Sequence, residues 1–93
     1  MTTPFIDLLQ RIADGVTIYE PYSRNARAML EFQDTVARLQ EMEREGLVRR
    51  VWTQMREIAG SQYYDMAMVQ GGLTAEGERM LEEQQKVASI AHS

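Results

Sequence analysis

The sequence predicts an α+β fold, on the basis of three observations. Apolar residues recur at helical spacing towards both ends of the chain, and between residues 47 and 70 they alternate with polar residues. Glycine, proline, serine or threonine stands where one pattern gives way to the next. We therefore expect three N-terminal helices, a two-stranded β-hairpin that a short third strand can extend, and a C-terminal helix. Ninety-three residues suit a single domain over residues 1–93.

The composition argues against an enzyme, a metal-binding protein and a membrane protein. The chain has no cysteine, and its single histidine is His92, so the common nucleophile–base pairs and His/Cys metal sites cannot be assembled. We expect no enzyme activity, no cofactor and no metal. The absence of cysteine favours a cytoplasmic location. There is no apolar run of the ~18 residues that a membrane helix needs and no signal-peptide pattern at the N-terminus, so no membrane partner is expected.

The first two predicted elements are a helix over 4–14 and a short strand over 16–19. Pro4 suits the first helical turn, the apolar residues from Phe5 to Ile12 follow helical spacing, and Gly15 suits the helix end. The segment that follows, Val16 to Tyr19, is rich in β-branched and aromatic residues.

Two further helices are predicted over 23–31 and 34–45, because Ser23 and Asp34 can each cap a helix and Gly46 can end the second one. No glycine or proline lies between Tyr22 and Gly46. One continuous helix through this stretch is therefore the alternative.

The hairpin is predicted over 47–58 and 62–70. A type II′ turn at Gly60-Ser61 places Met55 opposite Met66 and Arg56 opposite Asp65; a turn at Ala59-Gly60 is the alternative. The methionines Met55, Met66 and Met68 are expected to fill the core, with Trp52 on the other face. A last helix over 75–91 follows Thr74, which suits its N-cap.

The residues that carry a family resemblance lie in the second half of the chain. Gly46-Leu47-Val48 after a helix, then the hairpin, then Leu73-Thr74-x-x-Gly77 resemble MarR-like and PadR-like winged helix-turn-helix regulators. The size and layout also resemble small phage-associated winged-helix proteins of the YjcQ type. The resemblance implies a DNA-binding transcription regulator, with helix 34–45 as the recognition helix and the hairpin as the wing. It also implies a homodimer through the C-terminal helix; packing of that helix onto the first helix is the alternative.

The expected contacts with double-stranded DNA come from seven arginines and one threonine in the mildly basic middle of an otherwise acidic chain of net charge −4. These residues are Arg24, Arg27, Thr35, Arg38, Arg44, Arg49, Arg50 and Arg56. The competing interpretation is that the arginines pair with nearby acidic residues on a solvated surface.

A second functional hypothesis is a protein-interaction or phage-associated accessory module without DNA contact. Trp52, Arg50 and Arg56 would form its binding patch, because tryptophan and arginine are enriched in interface hot spots. The competing interpretation is that Trp52 belongs to the core.

Overall fold

The computed structural model describes residues 5–91. This part of the chain contains three helices and a three-stranded antiparallel sheet, which confirms the α+β class. In chain order the elements are α1 (Ile6–Ala13), β1 (Ile18–Tyr19), α2 (Ala26–Arg44), β2 (Val48–Ile58), β3 (Ser61–Leu73) and α3 (Ala75–Ala91).

The predicted first helix forms as α1, and it buries Leu8, Leu9 and Ile12. Gly15 follows the helix end with a φ of +94°, where only glycine avoids strain. Pro4 lies outside the described residues. The predicted strand at 16–19 is reduced to Ile18–Tyr19.

The segment predicted as helices 23–31 and 34–45 is one continuous helix, α2, so the two-helix prediction is wrong and the alternative is confirmed. Its N-cap is Asn25, whose side-chain oxygen accepts a hydrogen bond from Ala28 N at 2.8 Å. Phe32, in the predicted break, is buried in the core, and Asp34 pairs with Arg38 one turn later. Because nothing interrupts the helical hydrogen bonds, there is no helix-turn-helix within α2 and three N-terminal helices are not present in residues 5–91.

The hairpin turn is at Ala59-Gly60, which confirms the alternative position over Gly60-Ser61. Both residues have positive φ, +50° and +83°, as a type I′ turn requires. The strand pair closes with Ile58 opposite Ser61.

Asp65 is an extra residue in β3 and changes the predicted register. In the strand register, Gln54 lies opposite Met66 and Met55 lies opposite Tyr64. Asp65 has no opposite residue and forms a β-bulge. A one-residue shift moves every later side chain to the other face of the sheet. Met66 and Met68 therefore share a face with Trp52 and not with Met55. The position of the turn at Ala59-Gly60 places Arg56 opposite Tyr63. The predicted pairs and the predicted methionine core are wrong.

The sheet has the order β1-β3-β2, and one face of it packs on the helices. Tyr19, Ala67 and Val69 are buried on that face. They join buried residues of α1, α2 and α3 in one core cluster: Leu8, Leu9, Ile12, Phe32, Val36, Leu39, Met42 and Leu81.

The Leu73-Thr74-x-x-Gly77 segment holds α3 against the start of β2. Thr74 caps α3 as predicted, since its Oγ1 accepts from Gly77 N at 3.1 Å, and it also donates to the Gly46 carbonyl. A Cβ on Gly77 would overlap the Leu47 carbonyl oxygen. Glycine is needed here for the close approach of the two backbones.

The C-terminal helix α3 packs on α1, which is the alternative to its use in a dimer. Gln85 Nε2 donates to Gln10 Oε1 at 2.7 Å across this contact. Among the described residues, every helix is too short or too polar to cross a bilayer.

Candidate functional site on the outer face of the sheet

The candidate site is the face of the sheet opposite the core, here called the outer face. The strand register brings Ile18, Met68 and Trp52 into one row across β1, β3 and β2. Ile18 is 53% exposed and Trp52 is 46% exposed. Large apolar side chains in a contiguous exposed row are typical of interaction surfaces. The other residues of the outer face are Arg50, Gln54, Arg56, Ile58, Ser61, Tyr63, Met66 and Gln70.

Trp52 is held in place from two sides. The Arg50 guanidinium carbon lies 4.4 Å from the centre of the indole ring, within cation–π range. The indole Nε1 donates to Gln70 Oε1 at 2.6 Å from the neighbouring strand. An aromatic side chain that is already ordered loses little conformational entropy when a partner covers it. Trp52 and Arg50 are therefore in contact on the outer face, and Trp52 is not part of the core.

Two arginines of the outer face, Arg50 and Arg56, are not held in ion pairs within the described structure. Both are exposed. Their guanidinium groups are free to bind carboxylates of another molecule.

A groove of about 640 Å³ adjoins the distal half of the outer face. It lies between the segment from Glu20 to Arg24 and the hairpin, and Arg56, Ile58 and Met66 line its other wall. Asp65, the bulge residue, also lines it. Its Oδ1 is buried and has no hydrogen-bond partner among the described residues.

The predicted DNA-contacting residues are not gathered on one surface. On α2, Arg27 pairs with Glu31 at 3.4 Å, Arg38 with Asp34 at 3.1 Å, and Arg44 with Glu41. Thr35 donates to the Glu31 carbonyl at 3.3 Å.

The remaining predicted contacts are scattered. Arg24 lines the groove, and Arg49 lies against Gly71 of β3. Of the predicted set, only Arg50 and Arg56 share the outer face.

Sequence reasoning missed Ile18, Met68 and Gln70 as parts of this surface. Strict alternation along β3 placed Met68 in the core. The single extra residue at Asp65 reverses that assignment, and one polar residue in a strand gives no sequence signal of a bulge.

No group of three or more His, Cys, Asp or Glu side chains in residues 5–91 is arranged to hold a metal ion. Comparisons with family models, with curated proteins and with solved structures find no match to this chain. Membership of the winged-helix superfamily stays a prediction from the sequence.

Proposed function

We propose that this protein is an interaction module whose outer face binds a partner protein through a segment that combines an apolar side chain with neighbouring carboxylates. The observation that carries the proposal is the pairing of Arg50 with Trp52 at 4.4 Å on a sheet face where Trp52 stays 46% exposed. Tryptophan and arginine are the residues most often found at binding hot spots.

The chemistry of the partner follows from the chemistry of the surface. The Ile18–Met68–Trp52 row offers apolar area, which favours an aliphatic or aromatic side chain. Arg50 and Arg56 offer guanidinium groups that pair with no acid in residues 5–91, and these groups favour carboxylates beside that apolar residue. A basic segment would meet like charge and is disfavoured.

The hypothesis of a DNA-binding regulator has less support. Its recognition helix would be the C-terminal half of α2, where Arg38 and Arg44 are each paired with an acid on the same helix. Phosphate binding would have to break those pairs, and Asp34 and Glu41 would repel the backbone. The chain as a whole is acidic.

The proposal is tested by selecting from a random peptide library displayed on phage with the immobilised protein. We expect the enriched sequences to place Asp or Glu next to an aromatic or aliphatic residue. Synthetic peptides of that kind should bind the natural protein and bind Trp52→Ala and Arg50→Ala at least about tenfold more weakly, since hot-spot residues contribute ~2 kcal/mol or more.

The matched control is Leu30→Ala, because Leu30 is an exposed apolar residue on α2, 62% accessible, away from the outer face. It should leave peptide binding unchanged. Enrichment of no sequence, or of sequences that bind Trp52→Ala equally well, would show that the outer face is not a docking site. A parallel titration with mixed duplex DNA should show no binding at tens of micromolar in low salt; salt-sensitive binding lost in Arg38→Ala would favour the DNA hypothesis instead.

A further inference from the structure

We propose that a second copy of this chain pairs with the free edge of β2, in an antiparallel register centred on Met55. This inference concerns the sheet edge and does not rest on the proposed function of the outer face. It starts from a difference between the two edges of the sheet. One edge is β2, and the other is formed by the short strand β1 and by the parts of β3 that extend beyond it.

On the side away from β2, the backbone of β3 has hydrogen-bond partners between Tyr64 and Val69. Val69 N donates to Thr17 O at 2.8 Å, and β1 pairs with Met68 and Ala67. Beyond the end of β1, the Gln33 side chain binds both backbone groups of Tyr64. Covering an edge in this way removes a template for pairing with another chain.

The edge of β2 is covered at one point only in the described residues. Val51 N donates to Glu43 Oε2 at 2.8 Å. Ile58 and Ser61 close a two-residue hairpin and so form a hydrogen-bonded pair. The direction of the backbone N–H and C=O groups alternates along a strand. From Arg50 to Ile58, the even-numbered residues of β2 therefore direct these groups towards β3. Thr53, Met55 and Glu57 direct both backbone groups away from the sheet.

The register follows from which of these groups are free. A two-fold antiparallel pair centred on Met55 places Met55 opposite Met55 of the second copy and Thr53 opposite Glu57 of the second copy. Each such pair can exchange two backbone hydrogen bonds, and the pairing stops before Val51, whose N–H is already engaged.

Neighbouring registers are less favourable. Centring the pair on Thr53 places Arg50 opposite Arg56 of the second copy, and like charges directly opposite each other are destabilising. Centring it on Gln54 places Val51 opposite Glu57 of the second copy, and the Val51 N–H already donates to Glu43. In the Met55 register, Trp52 instead faces Ile58 of the second copy, and both are exposed apolar residues, 46% and 41% accessible.

The register is tested by charge substitutions at the symmetry position. Met55 is 47% exposed, so Met55→Lys and Met55→Glu should fold, as circular dichroism would verify. By analytical ultracentrifugation we expect the natural protein to be a dimer that dissociates on dilution and each variant alone to be a monomer, because like charges face each other. A mixture of the two variants should restore the dimer, since lysine then faces glutamate.

A second substitution keeps the test decisive if changes at Met55 disturb folding. Thr53→Arg would face Glu57 of the second copy and should tighten the dimer by severalfold. Leu30→Lys is the matched control, at an exposed apolar position of α2, and should leave the dimer unchanged. A natural protein that is monomeric at all concentrations, or a dimer that Met55→Lys does not weaken, would overturn the proposal.

Discussion

The side-chain amide of Gln33 takes the place of a strand beside Tyr64. Its Nε2 donates to the Tyr64 carbonyl at 2.7 Å and its Oε1 accepts from Tyr64 N at 2.8 Å. β1 ends at Tyr19, and Pro21 follows, which offers no backbone N–H. One side chain from α2 therefore completes the hydrogen bonding of β3 next to the bulge.

Gln33→Ala should destabilise the fold by about 1–3 kcal/mol, because both backbone groups of Tyr64 lose their partner in a half-buried place. The measurement is urea unfolding, comparing midpoints at unchanged m value. Gln40→Ala is the matched control on the same helix: it removes only a 3.3 Å contact with the Tyr64 hydroxyl and should cost about 0.5 kcal/mol or less. Equal losses for the two variants would contradict this role for Gln33.

Gly77→Ala should destabilise the protein by about 3 kcal/mol or more, since the added Cβ overlaps the Leu47 backbone oxygen and neither backbone can move freely. Gly46→Ala is the control for glycine loss without overlap: its Cβ would meet open space, but its φ is +76°, so a cost of about 1 kcal/mol is expected. Thermal unfolding of both variants would measure the difference. A Gly77→Ala protein as stable as Gly46→Ala would show that the contact with Leu47 is not tight.

The parts of the fold that the sequence predicts well are those with local stop signals. The turn predicted from Gly60 lies within one residue of the observed turn, and the start of α3 predicted from Thr74 is confirmed. The sequence leaves the continuity of α2 open, because Asp34 can cap a new helix while no glycine or proline between Tyr22 and Gly46 forces a break. The continuous helix places Phe32 in the core, and this tertiary packing is not visible in the local sequence.

The candidate site was harder to predict because it depends on Asp65. One extra residue in β3 moves Met66 and Met68 from the expected core to the outer face. The predicted sheet face of Trp52 and Arg50 is confirmed, since β2 alternates without interruption from Arg50 to Ile58. The charge of α2 was visible in the sequence, but which arginines are neutralised became clear only from the ion pairs with Asp34, Glu41 and Glu31.

Tyr19 should make the fold less stable above pH 10. Burial raises the pKa of the Tyr19 hydroxyl above its usual value of 10.0, and Arg11 opposes this in part. The unfolded chain then ionises first as pH rises, so stability is full below pH 10 and falls as the pH approaches the folded pKa. Urea midpoints across this range should fall more for the natural protein than for Tyr19→Phe, which lacks the ionisable group. The same fall in both proteins would assign the pH dependence to another group.

Arg50 should control the access of small ions to Trp52. Trp52 is the single tryptophan of the chain, so its fluorescence reports on the outer face alone. With the guanidinium 4.4 Å from the ring centre, iodide should quench more strongly than caesium, and Arg50→Ala should reduce iodide quenching about twofold, the effect of a local attraction of about 0.5 kcal/mol in salt solution. Arg38→Ala removes an exposed arginine of α2 that pairs with Asp34 and should leave quenching unchanged. If the two variants behave alike, the Arg50 guanidinium does not lie over the indole ring in solution. The proposed binding of a partner at Trp52 would then lose the cation on which it depends.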